Sequence, residues 1–402
     1  MMAVDFTPDP ATLELRERVR VFVRDEVVPA EQEMLPDTGT GPTDALRQRL
    51  QRAAKEHGLL APTAPVRFGG LGLTLTAQAE ILREAGHSLL GPLALNCAAP
   101  DEGNMHLMHR VATPEQQEKY LVPLVSGAVR SCFAMTEPSP GAGSDPSMLR
   151  TTARWDGDAW AIDGRKWYIT GADGAAWTIC MASTPEHGDA PAGATMFLVD
   201  AGNPGMRITR HIGSLDTGFT GGHCEVVFDD CRVSPDAVLG EVGRGFAYAQ
   251  VRLAPARLTH CMRWLGIAQR AQDMALDRAG EREAFGQPLA GLGMVQQMLA
   301  DSEIDLAACR HLIAHAAWLL DQGGRARSET AVAKTFVAEA VGRVVDRAVQ
   351  VHGALGISYD VPLSLFLREV RPFRIYDGAS EVHRMSIAKR AVRRRAAARS
   401  PQ

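Results

Sequence analysis

Met135-Thr136-Glu137-Pro138-Ser139-Pro140-Gly141-Ala142-Gly143-Ser144-Asp145 is the stretch that decides how the rest of the chain is read. Its small residues let backbone N–H groups approach a ligand closely, and Thr136 and Ser144 add hydroxyl donors. Taken alone, the same composition also fits a solvated loop. A second stretch, Gly164-Arg165-Lys166-Trp167-Tyr168-Ile169-Thr170-Gly171, follows it. Taken alone, this one is an amphipathic strand ending in a turn.

Outward from these stretches the chain changes grammar twice. From about Thr12 to Val129 the pattern is helical, with Leu13, Val19, Val21 and Phe22 recurring among Glu and Arg. Pro29 and the stretch from Pro36 to Pro42 break it, Thr43-Asp44 caps the next helix, and Thr113-Pro114-Glu115 starts another. From about Ser131 to Val238 short strands take over. Asp156-Gly157-Asp158 and Asp163-Gly164 read as turns between them, and Met196–Val199 and Cys224–Phe228 are further strands. From about Gly243 to Arg395 helices return. Leu265, Ala268, Ala271 and Ala275 share one face, and Leu306, Cys309, Ile313, Ala316 and Leu320 another. Helical, β, helical is not an alternating βαβ chain, so a Rossmann sheet is not expected. The Gly-rich pieces Gly240–Gly245 and Phe68–Leu73 follow no strand leading into a crossover, so neither is a dinucleotide fingerprint.

The 402 residues hold enough apolar side chains, 46%, for a sizeable core without disulfides or metals. A formal net charge of −4 gives no global pull toward nucleic acid. The N-terminus lacks the basic and apolar regions of a secretory signal, and no apolar stretch is long enough to span a bilayer. The seven cysteines are scattered without a C-x-x-C pair, as expected of reduced thiols in a cytoplasmic protein. His311 and His315 lie one helical turn apart with no Glu after the first, and are read as helix-surface or core residues, not metal ligands. Lys389-Arg390 and Arg393-Arg394-Arg395 have no interleaved aromatic and read as a solvated tail.

The two stretches in this order, followed by a helical last third, resemble the acyl-CoA dehydrogenase family, where they appear as T-E-P-x-x-G-S-D and G-x-K-x-W/Y-I-T. Three more segments add to the resemblance: Arg282–Leu289, Gln350–Gly356 and Arg374–Glu381. The likeness covers essentially the whole chain. It implies an α+β fold with an N-terminal all-α domain at 1–130, a middle β-barrel or sandwich domain at 131–239 and a C-terminal four-helix bundle at 240–402. Asn96–Asp101, Gly221-Gly222-His223, Arg257–Arg263, Asp377-Gly378 and Glu381–Arg384 look like one branch, often fused in animals to a phosphotransferase-like kinase domain for which this chain has no room.

The resemblance also implies roles. Phe133, Met135 and Thr136 match positions at the edge of a flavin ring, and Ser144 one near the FAD pyrophosphate and the CoA arm. Tyr168 matches the aromatic packed on the ring, and Thr170 the hydroxyl bonded to flavin N5. Arg282 and Phe285 match residues reaching the FAD of a neighbouring subunit, where a planar guanidinium suits phosphate. Gln350 and Gly353 match the loop over the adenine half. Ala379 and Glu381 replace a threonine and a glutamine that serve the FAD, and the first motif is two residues longer than usual. Arg257, Tyr376 and Gly378 fall at the substrate, while Asp101, His223 and His260 are either substrate contacts or structural hydrogen bonds.

The family's catalytic base is usually a Glu before Gly. Here that position is Asp377, one methylene shorter. The alternative position used by some relatives is Ala256, which cannot accept a proton. The implied chemistry is removal of the α proton of an acyl thioester by Asp377 and transfer of the β hydride to flavin N5, giving a trans-2-enoyl-CoA. A carboxylate buried beside an acyl chain and a flavin is expected to have a raised pKa. The implied partners are acyl-CoA or an acyl carrier, an electron-transfer flavoprotein as acceptor, and further copies of the chain in a homodimer or homotetramer. The implied context is β-oxidation or other fatty acid metabolism, with long, branched or hydroxylated chains. Relatives that act as oxidases or N-hydroxylases supply the alternative; the hydroxylases lack the base carboxylate, so Asp377 argues against them.

Overall fold

The computed structural model describes residues 6–34 and 41–399. The chain divides into two units. One gathers the residues before 35, Leu73–Pro92 and everything from Arg257. The other gathers those from 41 to Gly72 together with Leu93–Ala256.

In the first unit, the helix Pro10–Phe22 starts on Asp9, whose carboxylate accepts from the Thr12 amide at 2.9 Å. Pro29 does not break it as the sequence led us to expect. A π turn, Val23–Val27, widens the backbone ladder, and a new helical segment runs from Val28 to Met34. Pro29 thus falls near the start of that segment, where a missing N–H costs least. Of the four apolar positions read in this helix, Val19 and Phe22 are buried, whereas Leu13 and Val21 are over a third exposed. The break expected from Pro36 lies outside the described residues up to 40. The remaining helices of this unit are Leu75–Ala85, the bulk of Gly245–Glu281, Gly293–Asp321, Arg327–His352, Leu363–Val370 and Ser380–Ala397. Leu265, Ala268, Ala271 and Ala275 are all buried, as are Leu306, Cys309, Ile313 and Ala316. The basic run near the C-terminus is not a tail up to Ala397: Lys389 and Arg393–Arg395 lie on the last helix, exposed to solvent.

In the second unit, Thr43 caps Asp44–Glu56, and Thr113 forms a capping box with Gln116. Seven strands make one mixed sheet: β1 Ser131–Ala134, β2 Thr152–Trp155, β3 Trp160–Thr170, β4 Trp177–Thr184, β5 Gly193–Asp200, β6 Met206–Ile212 and β7 His223–Val233. The order is β1-β4-β2-β3-β7-β6, with β5 also on β4. The β1–β4 and β2–β4 pairs are parallel, the others antiparallel. Cys132, Ile162, Phe197, Val226 and Phe228 are among the residues that fill its core.

The structure corrects one turn. Asp163-Gly164 lies inside β3, at a shift of register against β7 between Ile162 and Gly164. The glycine is there for a close approach, since a Cβ on Gly164 would lie 2.4 Å from the Thr151 hydroxyl oxygen and 2.7 Å from its Cα. The architecture is the α+β one expected. All seven cysteines are buried and none forms a disulfide.

Candidate active site

Within the sheet unit, the two glycine-bearing stretches come together. The Thr136 hydroxyl donates to the Trp167 carbonyl at 2.7 Å, and the Trp167 amide returns a bond to the Thr136 carbonyl at 3.1 Å. A second register shift in β3, between Lys166 and Ile169, brackets Tyr168. Tyr168 has φ +52° and is half exposed. Thr170 shares a hydrogen bond of 3.0 Å with His223 Nδ1, and His223 Nε2 lies 3.2 Å from Asp216. Burial raises the Asp216 pKa, but His223 and Ser214 outweigh it and hold it below the usual range. Phe133 packs its ring under the Arg252 guanidinium, 4.2 Å away.

Sequence reasoning missed the pair that organises this region. Glu137 and Lys166 were quoted as motif letters, but they meet in the interior, Lys166 Nζ to Glu137 Oε1 at 2.8 Å. Lys166 also donates to the Met135 carbonyl. Glu137 accepts from the Ala142, Arg150 and Thr151 amides. Burial pushes its carboxyl up, yet Lys166 and Thr151 prevail and hold it at about 2. The two extra residues of the motif sit in a turn closed by Gly141 N to Pro138 O and Glu137 N to Ala142 O. Beyond the turn Ser144 is exposed, and Asp145 caps the short helix Pro146–Met148. Asp101 is a structural partner, accepting from the Ser131 amide and hydroxyl.

In the other unit, one helix and one loop build the surroundings of Asp377. Arg257, His260 and Trp264 fall on one stripe of the Gly245–Glu281 helix because they are three and four residues apart. Each touches the loop before the last helix. Arg257 Nε donates to the Asp377 carbonyl at 2.9 Å, His260 Nε2 lies 3.1 Å from Asp377 Oδ2, and Trp264 Nε1 donates to the Tyr376 hydroxyl. Asp377 itself is in the left-handed region, φ +53°. That costs a non-glycine residue roughly 1 kcal/mol or more, and Asp tolerates it better than most. Gly378 follows at φ +97°, where a Cβ would meet His383 Nε2 at 2.7 Å.

Lys334, also missed, grips the loop from beneath. It is fully buried and donates to the carbonyls of Phe373 at 2.8 Å and Gly378 at 2.7 Å. Burial lowers its pKa to about 8. A lysine at the buried phase of a helix otherwise lined by Thr330, Ala331, Val337, Ala338 and Val341 was the available signal. His383, held near 4 by burial, is neutral and donates from Nε2 to the Asp377 carbonyl. Burial also lowers the Arg257 pKa. Ala256 is buried.

The other motif residues of this unit are surface positions. Arg282 and Phe285 lie on a tight hairpin, Glu283–Ala284 with Gln287–Pro288, and Phe285 is 91% exposed at φ +54°. Gln350 is exposed at the end of Arg327–His352, and Gly353 follows at φ +63°. Ala379 and Glu381 open the last helix, with Glu381 exposed. His311 and His315 are exposed on Gly293–Asp321.

Helices, a mixed sheet and helices again make the α+β architecture that the resemblance to flavin-dependent dehydrogenases implied. Known proteins agree. The N-terminal, middle and C-terminal domain profiles of acyl-CoA dehydrogenase match residues 9–128, 132–231 and 243–392. The chain is 38% identical to "Probable acyl-CoA dehydrogenase FadE2" of Mycobacterium tuberculosis, over 96% of each. It is 34% identical to (R)-benzylsuccinyl-CoA dehydrogenase of Thauera aromatica, over 96% of this chain and 97% of that one. It spans 38% of mouse acyl-CoA dehydrogenase family member 10, at 35% identity over 98% of this chain, and about half of the member 11 relatives. Butyryl-CoA dehydrogenase of Megasphaera elsdenii superposes with a TM-score of 0.85 at 26% identity, covering 97% of this chain and all of the other. The chain belongs to the acyl-CoA dehydrogenase family. It is an oxidoreductase, and FAD is its cofactor. Among the described residues, no helix is long and apolar enough to cross a membrane.

Proposed function

We propose that this protein oxidises the α,β bond of an acyl-CoA thioester to the trans-2-enoyl-CoA, with Asp377 as the base that takes the α proton. The observation that carries the reading is the bracing of position 377. Its carbonyl accepts from Arg257 and His383, the Gly378 carbonyl accepts from Lys334, and its carboxylate lies against His260. A side chain one methylene shorter than the usual glutamate needs its backbone held this firmly, because positional error directly costs rate. The thioester carbonyl is assigned to the backbone N–H of Asp377, which stabilises the developing enolate.

FAD, when bound, supplies the two-electron acceptor for the β hydride. The residues present suit it. Tyr168 and Phe285 hold aromatic rings out of the core on left-handed backbone, offering faces to a planar ring system. The Thr136 hydroxyl lies at the Trp167 carbonyl and the Thr170 hydroxyl at His223, and the exposed Arg282 suits a phosphate arm. Phe133, Met135 and Ser144 complete the flavin and pyrophosphate side in this assignment, and Gln350, Gly353, Ala379 and Glu381 the adenine side. Arg257, Tyr376 and Gly378 border the substrate. The domain limits at 130 and 239, membership in the Asp-Gly branch, a homodimer or homotetramer with FAD shared between copies, an electron-transfer flavoprotein as acceptor and a cytoplasmic place in fatty acid oxidation belong to the same proposal.

Anaerobic mixing of the purified yellow protein with straight, branched and hydroxylated acyl-CoAs tests it. Bleaching followed by reoxidation with a dye or an electron-transfer flavoprotein, and not with air, is expected. Fast reoxidation by air points to an oxidase, and reduction by a nicotinamide alone to a monooxygenase. Asp377→Asn should abolish bleaching; unchanged reduction removes Asp377 from the role.

A further inference from the structure

We infer that His223 is a positioning residue that takes the hydrogen bond of the Thr170 hydroxyl and leaves the hydroxyl oxygen an acceptor for the cofactor; this rests on the proposed place of Thr170 at flavin N5. The end of β3 and the start of β7 set the pair. Thr170 and His223 are register partners, and the Gly171 amide donates to the Gly222 carbonyl at 2.8 Å. Arg130 fastens both strand ends, donating to the carbonyls of Gly171 at 2.9 Å, Asp173 at 2.6 Å and Thr220 at 3.3 Å.

Thr170 Oγ1 and His223 Nδ1 are 3.0 Å apart, and either atom can carry the proton between them. Asp216 decides which does. Its carboxylate lies 3.2 Å from His223 Nε2, and both side chains are buried. Burial pulls the Asp216 carboxyl up, but His223 and Ser214 outweigh it, so the acid is ionised at neutral pH. A lone pair on Nε2 would face this negative charge. In the neutral ring the proton therefore sits on Nε2 and the lone pair on Nδ1. Only the sign of the charge matters, and no hydrogen bond from Nε2 to Asp216 is required. Nδ1 then accepts, and the Thr170 hydroxyl donates. On the neighbouring turns Arg130 is spent on carbonyls, and Asp173 faces His211 at 3.1 Å.

A hydroxyl has one proton. Given to Nδ1, it is withheld from an acceptor on the cofactor side, while the oxygen keeps a lone pair for a donor. Flavin N5 is an acceptor when oxidised and a donor when reduced. His223 thus makes Thr170 the better partner of the reduced form. A group that favours one redox state shifts the equilibrium toward it, so His223 raises the midpoint potential.

The experiment measures the two-electron midpoint potential of the holoenzyme by dye-equilibrated titration, without acyl-CoA. His223→Gln keeps an amide beside Asp216 and removes the acceptor at Nδ1. It should shift the equilibrium about tenfold toward oxidised flavin, which is about 30 mV. His223→Asn, which can place an amide oxygen where Nδ1 was, should return most of the shift. In a Thr170→Val background His223→Gln should add nothing, because the hydroxyl it acts on is gone. Imidazole 15N NMR of the wild-type holoenzyme at about pH 8 should show His223 as the neutral Nε2–H tautomer. A wild-type potential in His223→Gln, an undiminished shift in the Thr170→Val background, or a His223 protonated on Nδ1 overturns the inference. Should His223→Gln fail to take up FAD, the wild-type spectrum still decides, since it is read without that variant. Thr170→Val separates the two readings. If it leaves the potential unchanged, Thr170 is not at N5 and both fall. If it lowers the potential while His223→Gln does not, only the role of His223 fails.

Discussion

Lys334 shows how a single buried charge shapes the acid's loop. Its ammonium satisfies two carbonyls that flank Asp377, and it does so at the cost of burial, which lowers its pKa from 10.5 to about 8. Below about pH 8 the folded and unfolded states both carry the proton, and the burial cost is fully present. Between about pH 8 and 10.5 the unfolded chain holds more protons, so this residue's contribution to stability rises with pH. Lys334→Met removes that rise. Urea unfolding of wild type and variant should therefore diverge in the wild type's favour by on the order of 2 kcal/mol between about pH 8 and pH 10. A pH-independent difference contradicts the buried charge. The same variant should slow flavin bleaching by roughly tenfold or more, because residues 373–378 lose their support.

At the level of elements, the loop after β1 is held by one carboxylate. Glu137 gathers three backbone amides and Lys166, and Glu137→Gln leaves a buried ammonium without its counter-charge. We expect a loss of about 3 kcal/mol in equilibrium unfolding and weaker retention of FAD on gel filtration. In the wild type this stabilisation is complete above about pH 4.5 and disappears as pH falls toward 2, since the folded pKa is the lower one. Acid unfolding of the variant should lack that component. Strand β3 offers a second test. If Gly164 were a turn residue, alanine would be tolerated at modest cost. Packed against Thr151 as it is, Gly164→Ala should destabilise by roughly 2 kcal/mol or more, as measured by thermal unfolding.

At the level of the whole molecule, the proposed assembly rests on the hairpin that carries Phe285. Phe285 is nearly fully exposed on left-handed backbone, three residues from the exposed Arg282. The proposal that it reaches the cofactor of another copy predicts a dimer or tetramer by light scattering. It also predicts that Phe285→Asp or Arg282→Ala will lower FAD occupancy at dilute protein concentration. Full occupancy in both variants at every concentration would separate the hairpin from the cofactor.

Much of this was legible beforehand. The order of helices, strands and helices follows from hydrophobic period, and both capping threonines follow from the N-terminal helix rules. The motif that names Asp377 is local in sequence, so the candidate acid could be read without a fold. What the sequence could not decide was every partnership between distant residues: Glu137 with Lys166, Lys334 with Phe373 and Gly378, and His260 with Asp377. Nor could it tell a glycine that turns, as Gly378 does, from one that makes room, as Gly164 does, or see that a π turn lets the chain pass Pro29. Periodicity and turn chemistry act over a few residues and are written in the order of the letters. Charge pairing and close packing act through space, and only the folded chain brings those letters together.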